Sequence, residues 1–318
     1  MANLKSIKNR ITGVKNTQKI TKAMQMVATA KVKKTENATK MSRPFTWELY
    51  EMFEEVYKKL GDKKLKPVDV QNPLDNYVEI LKTREVKNSA YLVINSNKGL
   101  AGAYNSNIVR FTLNKIKEEN KCKNIKLYLI GNKAYTPLKN AQKTLDFEIC
   151  DTYTDVLDNL NPMSVRVISE DLASAYVNRE IDEIIIITTR YQNMVSYHIE
   201  DWTLLPAGTG DKELVSQMRK FHTEESKEKK KLEADTIFEP GVEEILGKLT
   251  PMYITNIIYQ AILEATASEL ASRMTAMSAA TKNADEMIRT LTIDYNKARQ
   301  EKITQELTEI VSGANAIK

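Results

Sequence analysis

The chain contains 318 residues, of which 42% are hydrophobic and 28% are charged, and this composition excludes an intrinsically disordered chain and an integral membrane protein. Its 47 basic and 42 acidic residues leave a net charge of +5, and its two cysteines, Cys122 and Cys150, exclude a disulfide-rich secreted scaffold and a cysteine-based zinc site. Only 10 glycines and 8 prolines are present, which indicates that long helices make up much of the fold.

The first 60 residues have the pattern of a long amphipathic helix. Pro44 is the only Gly or Pro between Val14 and Leu60, so we predict one helix over residues 1–60 that bends near Pro44. Its apolar stripe consists of residues three or four positions apart, with one wider step: Leu4, Ile7, Ile11, Val14, Ile20, Met24, Val27 and Ala30.

This N-terminal segment is also strongly basic. Residues 1–40 carry ten basic side chains and one acidic side chain, Glu36. Such a surface fits nucleic acid, a membrane surface or an acidic protein, and an ordinary solvated helix face has the same composition.

Two polar segments are predicted to be surface insertions. Residues 61–88 are polar and contain Pro67 and Pro73, and residues 223–231 form a run of charged side chains. The second segment is typical of solvated helix surface or a loop.

Residues 89–240 alternate between strand and helix patterns, which predicts a small Rossmann-like, doubly wound sheet. Buried strands are expected at residues 90–95, 125–130, 145–149 and 183–189, the last of them rich in isoleucine. Helices are expected at residues 105–120, 133–140 and 162–178, and an antiparallel edge strand or hairpin at residues 194–205.

Residues 241–318 are predicted to form a second long helical segment. Thr250 and Pro251 have the pattern of a helix start, and Gly313 stands where a helix ends, which gives a helix of roughly 60 residues. Its coiled-coil seam steps by four and three alternately through Leu270, Met274, Met277, Thr281, Ala284, Ile288, Leu291, Tyr295 and Ala298.

The seam changes register at both of its ends. Ile254, Ile258, Ala261 and Ala265 precede it, while Ile303, Leu307 and Ile310 follow it. Two amphipathic helices at opposite ends of one chain bury their stripes most simply against each other, so we expect an antiparallel coiled coil attached to the α/β domain.

No catalytic, cofactor or metal site emerges from the residue pattern. Residues 241–250 resemble a phosphate loop, but five residues separate their glycines and Leu249 replaces the Ser or Thr that would hold magnesium. Residues 97–102 follow a strand and open a helix, so they either cradle an anion or form a tight turn. His198 fits a sheet residue, and neither cysteine has His or Cys neighbours at ligand spacing.

Several segments resemble the gamma subunit of rotary F-type ATP synthases. Residues 7–11, 16–24 and 26–28 are similar to the start of that subunit, and residues 296–300 and 303–313 are similar to its end. Residues 99–102 and Asn105 match a weaker family motif, in which Ala101 and Ala103 replace the usual Cys and Gly. The resemblance covers nearly the whole chain except residues 61–88 and about 223–236.

The resemblance implies a non-catalytic rotor without a cofactor. In this family the paired helices form a shaft inside a ring of alternating alpha and beta subunits. The α/β domain is held by the epsilon subunit and the membrane-embedded c-ring, and a delta subunit belongs to the same complex. Proton or sodium flow turns the shaft for ATP synthesis, and ATP hydrolysis drives the reverse.

The expected setting is the cytoplasmic face of a bacterial cell membrane, with peripheral attachment and no direct membrane insertion. We expect no secretory signal or transit peptide, and the longest uncharged stretch, residues 249–263, is shorter than a membrane span.

Candidate functional residues follow from the resemblance and from charge. The resemblance assigns coupling and beta-subunit contacts to Met24, Arg273, Arg299, Gln300 and Thr304. The charge pattern adds electrostatic contacts at Lys8, Arg10, Lys31 and Lys33. A low-friction bearing is expected at Leu307, Ile310, Val311 and Ile317.

Two other classes of function are alternatives to a rotor. A basic coiled-coil module that binds nucleic acid is the alternative, although the first aromatic residue, Phe45, lies outside the basic segment and stacking on bases needs aromatic side chains. A nucleotide-dependent enzyme lacks a phosphate loop.

Overall fold

The computed structural model describes residues 4–60, 70–119, 124–207, 239 and 241–316. The helices of this part of the chain are α1 (Leu4–Leu60), α2 (Tyr77–Ile80), α3 (Tyr104–Glu119), α4 (Tyr135–Ala141), α5 (Pro162–Val177) and α6 (Val242–Ala316), with short 3₁₀ turns at Pro73–Asp75 and Asp155–Leu157. The strands are β1 (Asn88–Ile94), β2 (Asn124–Ile130), β3 (Glu148–Tyr153), β4 (Glu183–Tyr191) and β5 (Tyr197–Leu205).

The chain divides into two compact units. Residues 1–30 and 273–318 form a helical unit, and residues 31–272 form an α/β unit. Because α1 and α6 each continue from one unit into the other, the division falls inside both helices.

The α/β unit contains one five-stranded sheet in the order β3-β2-β1-β4-β5. The first four strands are parallel, with Val93 of β1 paired to Leu129 of β2 and Ile187 of β4, and β5 runs antiparallel to β4. This arrangement confirms the doubly wound sheet and the antiparallel edge strand.

Each face of the sheet has its own hydrophobic core. On one face, Tyr91 and Val93 of β1 pack with α3 and α4. On the other face, Ala90, Leu92 and Ile94 pack with α5 and with the parts of α1 and α6 that belong to this unit. Alternate residues of one strand therefore serve two cores, which explains why β1 is apolar from Ala90 to Ile94.

Three expectations about these elements are wrong. The first concerns both ends of the C-terminal helix: it begins at Val242, eight residues before Thr250, with Pro251 inside it, and it continues past Gly313 to Ala316. A proline within a helix costs about 3 kcal/mol. Burial of the residues on both sides, among them Leu246, Ile254 and Ile258, offsets that cost. Pro44 likewise lies inside α1, and the bend expected there stays a prediction.

The second correction concerns the start of strand β3. β3 begins at Glu148, not at residue 145, because Leu145 still bonds back to the end of α4 through its amide. Phe147 then fills the core from the loop before the strand. As an edge strand, β3 is largely polar, so an apolar run does not mark its position.

The third correction concerns the expected insertion at residues 61–88. In its described part, residues 70–88, Leu74, Tyr77 and Ile80 are buried in the core, so this part is no surface insertion. Its polar side chains cap the short helical turns: Asn72 Oδ1 accepts from the Leu74 amide at 2.9 Å, and Asn76 Oδ1 accepts from the Glu79 amide at 3.3 Å. Residues 223–231 lie outside the described part.

Gly131, at the end of β2, is required by its backbone conformation. Its φ is +92°, and a Cβ there would lie 2.9 Å from backbone atoms of Asn95 and Ser96. We expect Gly131→Ala to lower the free energy of unfolding by about 2–4 kcal/mol. Gly99→Ala is the control, because that position is open and should tolerate the methyl group. Equal denaturation midpoints for the two variants would contradict this assignment.

Candidate functional surface on the paired helices

α1 and α6 pack antiparallel in the helical unit. Gln18 Nε2 donates a hydrogen bond to Asp285 Oδ1, and the hydroxyls of Thr21 and Thr281 lie 2.9 Å apart. As residue numbers rise along α1 they fall along α6, which confirms the predicted antiparallel pairing.

The predicted seam of α6 is confirmed over residues 270–298, but its expected continuation at Ile303, Leu307 and Ile310 is wrong, because these side chains are exposed. Leu270, Met277, Ala284 and Leu291 are buried. The other five seam positions are half-buried: Met274, Thr281, Ile288, Tyr295 and Ala298.

The seam of α1 differs from the prediction. Ile20, Val27 and Ala30 are exposed, whereas Gln18, Thr21 and Gln25 are half-buried and Ala28 is buried. The alternating steps of three and four that link Leu4, Ile7, Ile11 and Val14 continue unchanged through Gln18, Thr21, Gln25 and Ala28. The seam of α1 therefore contains polar residues. The constant spacing predicts the buried face of α1 correctly, whereas the positions of the apolar residues do not.

This register leaves apolar side chains on the outer surface of the helical unit. Ile20 is 60% exposed and Ile293 is 61% exposed. Met26, Val27 and Met287 are also exposed. These exposed apolar side chains are candidates for contact with another protein. The sequence-based candidates did not include these residues.

The last described part of α6 is exposed on all sides. Every residue from 299 to 313, named here the exposed end, is open to solvent, and Ala298 is the last half-buried position. Four candidates, Gln300, Thr304, Leu307 and Val311, lie on one face of the exposed end at helical spacing. Ile310, also in the exposed end, is 68% exposed. Thr304 Oγ1 donates to the Gln300 carbonyl at 3.0 Å. Ile317 lies outside the described residues.

The remaining candidates are spread over both units. Met24 of α1 and Arg273 of α6 are half-buried in the helical unit, where Lys8, Arg10 and Arg299 are exposed. The other two candidates, Lys31 and Lys33, are exposed on the part of α1 in the α/β unit.

The segments weighed for catalysis have structural roles. Residues 242–250 are helical, and acidic Glu243 and Glu244 in the first turn would repel a phosphate. The loop at residues 97–102 is a tight turn, with positive φ at Leu100 and Gly102 and with Ser96 Oγ lying 2.8 Å from both the Lys98 carbonyl oxygen and Asn105 Oδ1.

The described thiol and imidazole lack catalytic surroundings. Desolvation, reinforced by the nearby Glu148 carboxylate, raises the pKa of the thiol of exposed Cys150, so the reactive thiolate is disfavoured at neutral pH. His198 is an exposed residue of β5, and Cys122 lies outside the described residues. Within the described ranges, no cluster of three or more His, Cys, Asp and Glu side chains could hold a metal ion. Nor does any helix there have the length and apolar character to cross a membrane.

Comparison with known proteins gives a consistent result over the full length. A family model described as ATP synthase matches residues 3–317. The ATP synthase gamma chain of Gloeobacter violaceus is 39% identical, over 99% of this chain and 100% of that protein. The chain belongs to the ATP synthase gamma chain family. The gamma chain of Christiangramia forsetii is 34% identical, over 100% of this chain and 99% of that protein.

Solved structures support the fold of this gamma-chain family member. A chain of the Euglena gracilis mitochondrial ATP synthase (OSCP/F1/c-ring) has a TM-score of 0.62 and 20% identity, over 99% of this chain and 94% of that one. A chain of the Tetrahymena thermophila mitochondrial ATP synthase central stalk and c-ring has a TM-score of 0.57 and 24% identity, over 82% and 99%. The nucleic-acid alternative has no support among these relatives.

The seam register can be tested with neighbouring residues of α6. Leu291 is 8% exposed and Ile293 is 61% exposed. Leu291→Ala should lower the free energy of unfolding of the helical unit by about 2–4 kcal/mol. Ile293→Ala removes no buried contact and should leave it nearly unchanged. Far-UV circular dichroism during denaturation measures both, and a larger loss for Ile293→Ala would show that the other face is buried.

Proposed function

We propose that this chain is the rotating central-stalk subunit of an F-type ATP synthase. It carries rotation driven by a transmembrane proton or sodium gradient into a ring of alpha and beta subunits for ATP synthesis, and it carries rotation in reverse when ATP hydrolysis pumps ions. The observation that carries this proposal is an antiparallel helix pair that continues into a single exposed helix, in a chain of the gamma family.

An asymmetric shaft explains how one chain acts on several catalytic sites. A helix pair with unlike faces cannot contact identical neighbours alike, so each neighbour is biased toward a different conformation. Rotation redistributes those biases, and each nucleotide site responds through its differential contacts. Catalysis then belongs to the partner subunits, and this chain supplies no catalytic residue.

The surface of the helical unit supports contacts of two kinds. Exposed cations such as Lys8 and Arg10 attract acidic loops over several ångströms without locking them. Leu307, Ile310 and Val311 on the exposed end offer a partner apolar contact and no hydrogen bond, which suits a bearing. We assign coupling contacts to Met24, Arg273, Arg299, Gln300 and Thr304, and weaker electrostatic contacts to Lys31 and Lys33.

The remaining partners and the location follow from the same proposal. The α/β unit would be held by the epsilon subunit and the c-ring, with the delta subunit elsewhere in the complex. The Tetrahymena neighbour is described as part of a central stalk and c-ring, which supports this placement. We place the chain at the cytoplasmic face of a bacterial membrane as a peripheral subunit.

Arg299 and Gln300 provide a test of coupling. Both are exposed on α6, so Arg299→Ala and Gln300→Ala should assemble normally and lower the number of ions pumped per ATP hydrolysed. The measurement is ion pumping and ATP hydrolysis by the complex in liposomes. Arg289→Ala, another exposed arginine of α6 outside the matched segments, is the control. An unchanged ratio in both variants would remove these residues from the coupling surface.

The absence of catalysis in this chain is tested separately. The purified chain should neither hydrolyse ATP nor bind it tightly, whereas the assembled complex hydrolyses ATP. A phosphate-release assay and equilibrium dialysis with ATP measure the two properties. Sustained turnover by the isolated chain would overturn the proposal of a non-catalytic rotor.

A further inference from the structure

Glu264 of α6 is a buried carboxylate with every acceptor position filled. Its side chain is 4% exposed. Oε1 accepts from Arg43 Nε at 2.6 Å and from Gln260 Nε2 at 2.9 Å. Oε2 accepts from Arg43 Nη2 at 2.8 Å and from the Tyr191 amide at 3.0 Å. Four hydrogen bonds saturate an ionised carboxylate, and bidentate pairing with arginine is its most directional arrangement.

The same group of residues joins three elements of the α/β unit. Arg43 lies on α1, Glu264 on α6, and Tyr191 is the last residue of β4. Arg43 Nη2 also donates to the Tyr191 carbonyl at 2.8 Å. Both backbone polar groups of Tyr191 are thus held, one by the acid and one by the base, so the end of β4 is fixed to both long helices.

Two hydroxyl groups, one on β4 and one on α3, bond to the same stretch of α6. Thr188 Oγ1 of β4 donates to the Ala261 carbonyl at 3.0 Å. The hydroxyl of Tyr104, the first residue of α3, donates to the Ala265 carbonyl at 3.0 Å. We name the set Arg43, Tyr104, Thr188, Tyr191 and Glu264 the polar anchor; it meets α6 within residues 261–265.

The polar anchor adds a directional constraint to the non-directional packing of the surrounding core. Apolar burial is non-directional, so it opposes separation of the sheet from the helices and opposes sliding only weakly. Hydrogen bonds weaken steeply when their angles change. A sideways force on the sheet therefore meets its directional resistance at the polar anchor.

We propose that the polar anchor transmits torque between the sheet and the long helices, with Arg43 and Glu264 as positioning residues that keep α1, α6 and β4 in one register under load. This inference rests on the proposed rotor function. A structural joint without this role would affect assembly and stability, whereas a torque joint also affects coupling against an opposing gradient.

The test uses the complete complex in liposomes with Glu264→Gln, which keeps the side-chain shape and removes its charge. Without an opposing ion gradient, ATP hydrolysis and pumping per assembled complex should stay near wild type. With an opposing gradient, ions pumped per ATP should fall by at least about twofold. Arg43→Lys keeps the charge but not the two-pronged contact, and it should give the same load-dependent loss.

The matched control is Glu170→Gln on α5, which removes the partly exposed ion pair with Arg166 at 2.9 Å. It should leave the ratio unchanged at every gradient. If Glu264→Gln does not assemble, Tyr104→Phe combined with Thr188→Val removes the two hydroxyl donors, with a methyl group in place of the threonine hydroxyl, and tests the same load dependence.

Each outcome decides between the two proposals. Equal ratios in the anchor variants and wild type under load would overturn the torque joint, and so would a failure of every variant to assemble, which would indicate a folding role alone. If wild-type complexes hydrolyse ATP and pump ions while this chain, labelled and observed singly, stays stationary, the rotor function itself fails.

Discussion

The fold depends on the antiparallel association of α1 and α6. Helices of 57 and 75 residues expose an apolar stripe that neither can bury alone, and most helical stability in proteins comes from packing such a stripe. The five strands lie between these two helices in the sequence, and the end of β4 is bonded to both of them through Arg43 and Glu264. A force on β4 can therefore pass to both helices at that point.

Polar residues in the seam specify how the helices associate. Gln18 and Thr21 occupy positions that leucine or isoleucine would fill in a more stable coiled coil, and they meet Asp285 and Thr281. A polar seam residue sets register at a cost in stability. Because these polar residues face inward, Ile20 and Val27 face outward. The pair therefore presents to its surroundings a surface that is apolar and basic at once.

The sequence predicts the structure well where the apolar residues are also the buried residues, and poorly where they are not. The α6 seam could be predicted because most of its positions carry an apolar side chain, whereas on α1 the apolar stripe and the buried stripe diverge after Val14. Asn72 and Asn76 gave residues 70–88 a polar character that conceals buried Leu74 and Ile80. Arg43 and Glu264 are 221 residues apart. A charged residue on a helix is normally predicted to lie on the protein surface. No spacing rule links two charged residues that are so far apart in the sequence.

Two parts of α6 use polar groups in opposite ways. Around Glu264, polar side chains bond to other elements and fix them together. In the exposed end, several polar side chains bond within the helix: Thr304 and Thr308 donate to carbonyls one turn earlier, Gln305 bonds Glu309, and Lys302 pairs with Glu306. Hydroxyl groups committed in this way compete less for a partner's polar groups, so a neighbour that meets Leu307, Ile310 and Val311 makes mainly non-directional contact there. Directional bonding where parts must move together, and non-directional contact where one part must move past another, is the division of labour that a rotating shaft requires.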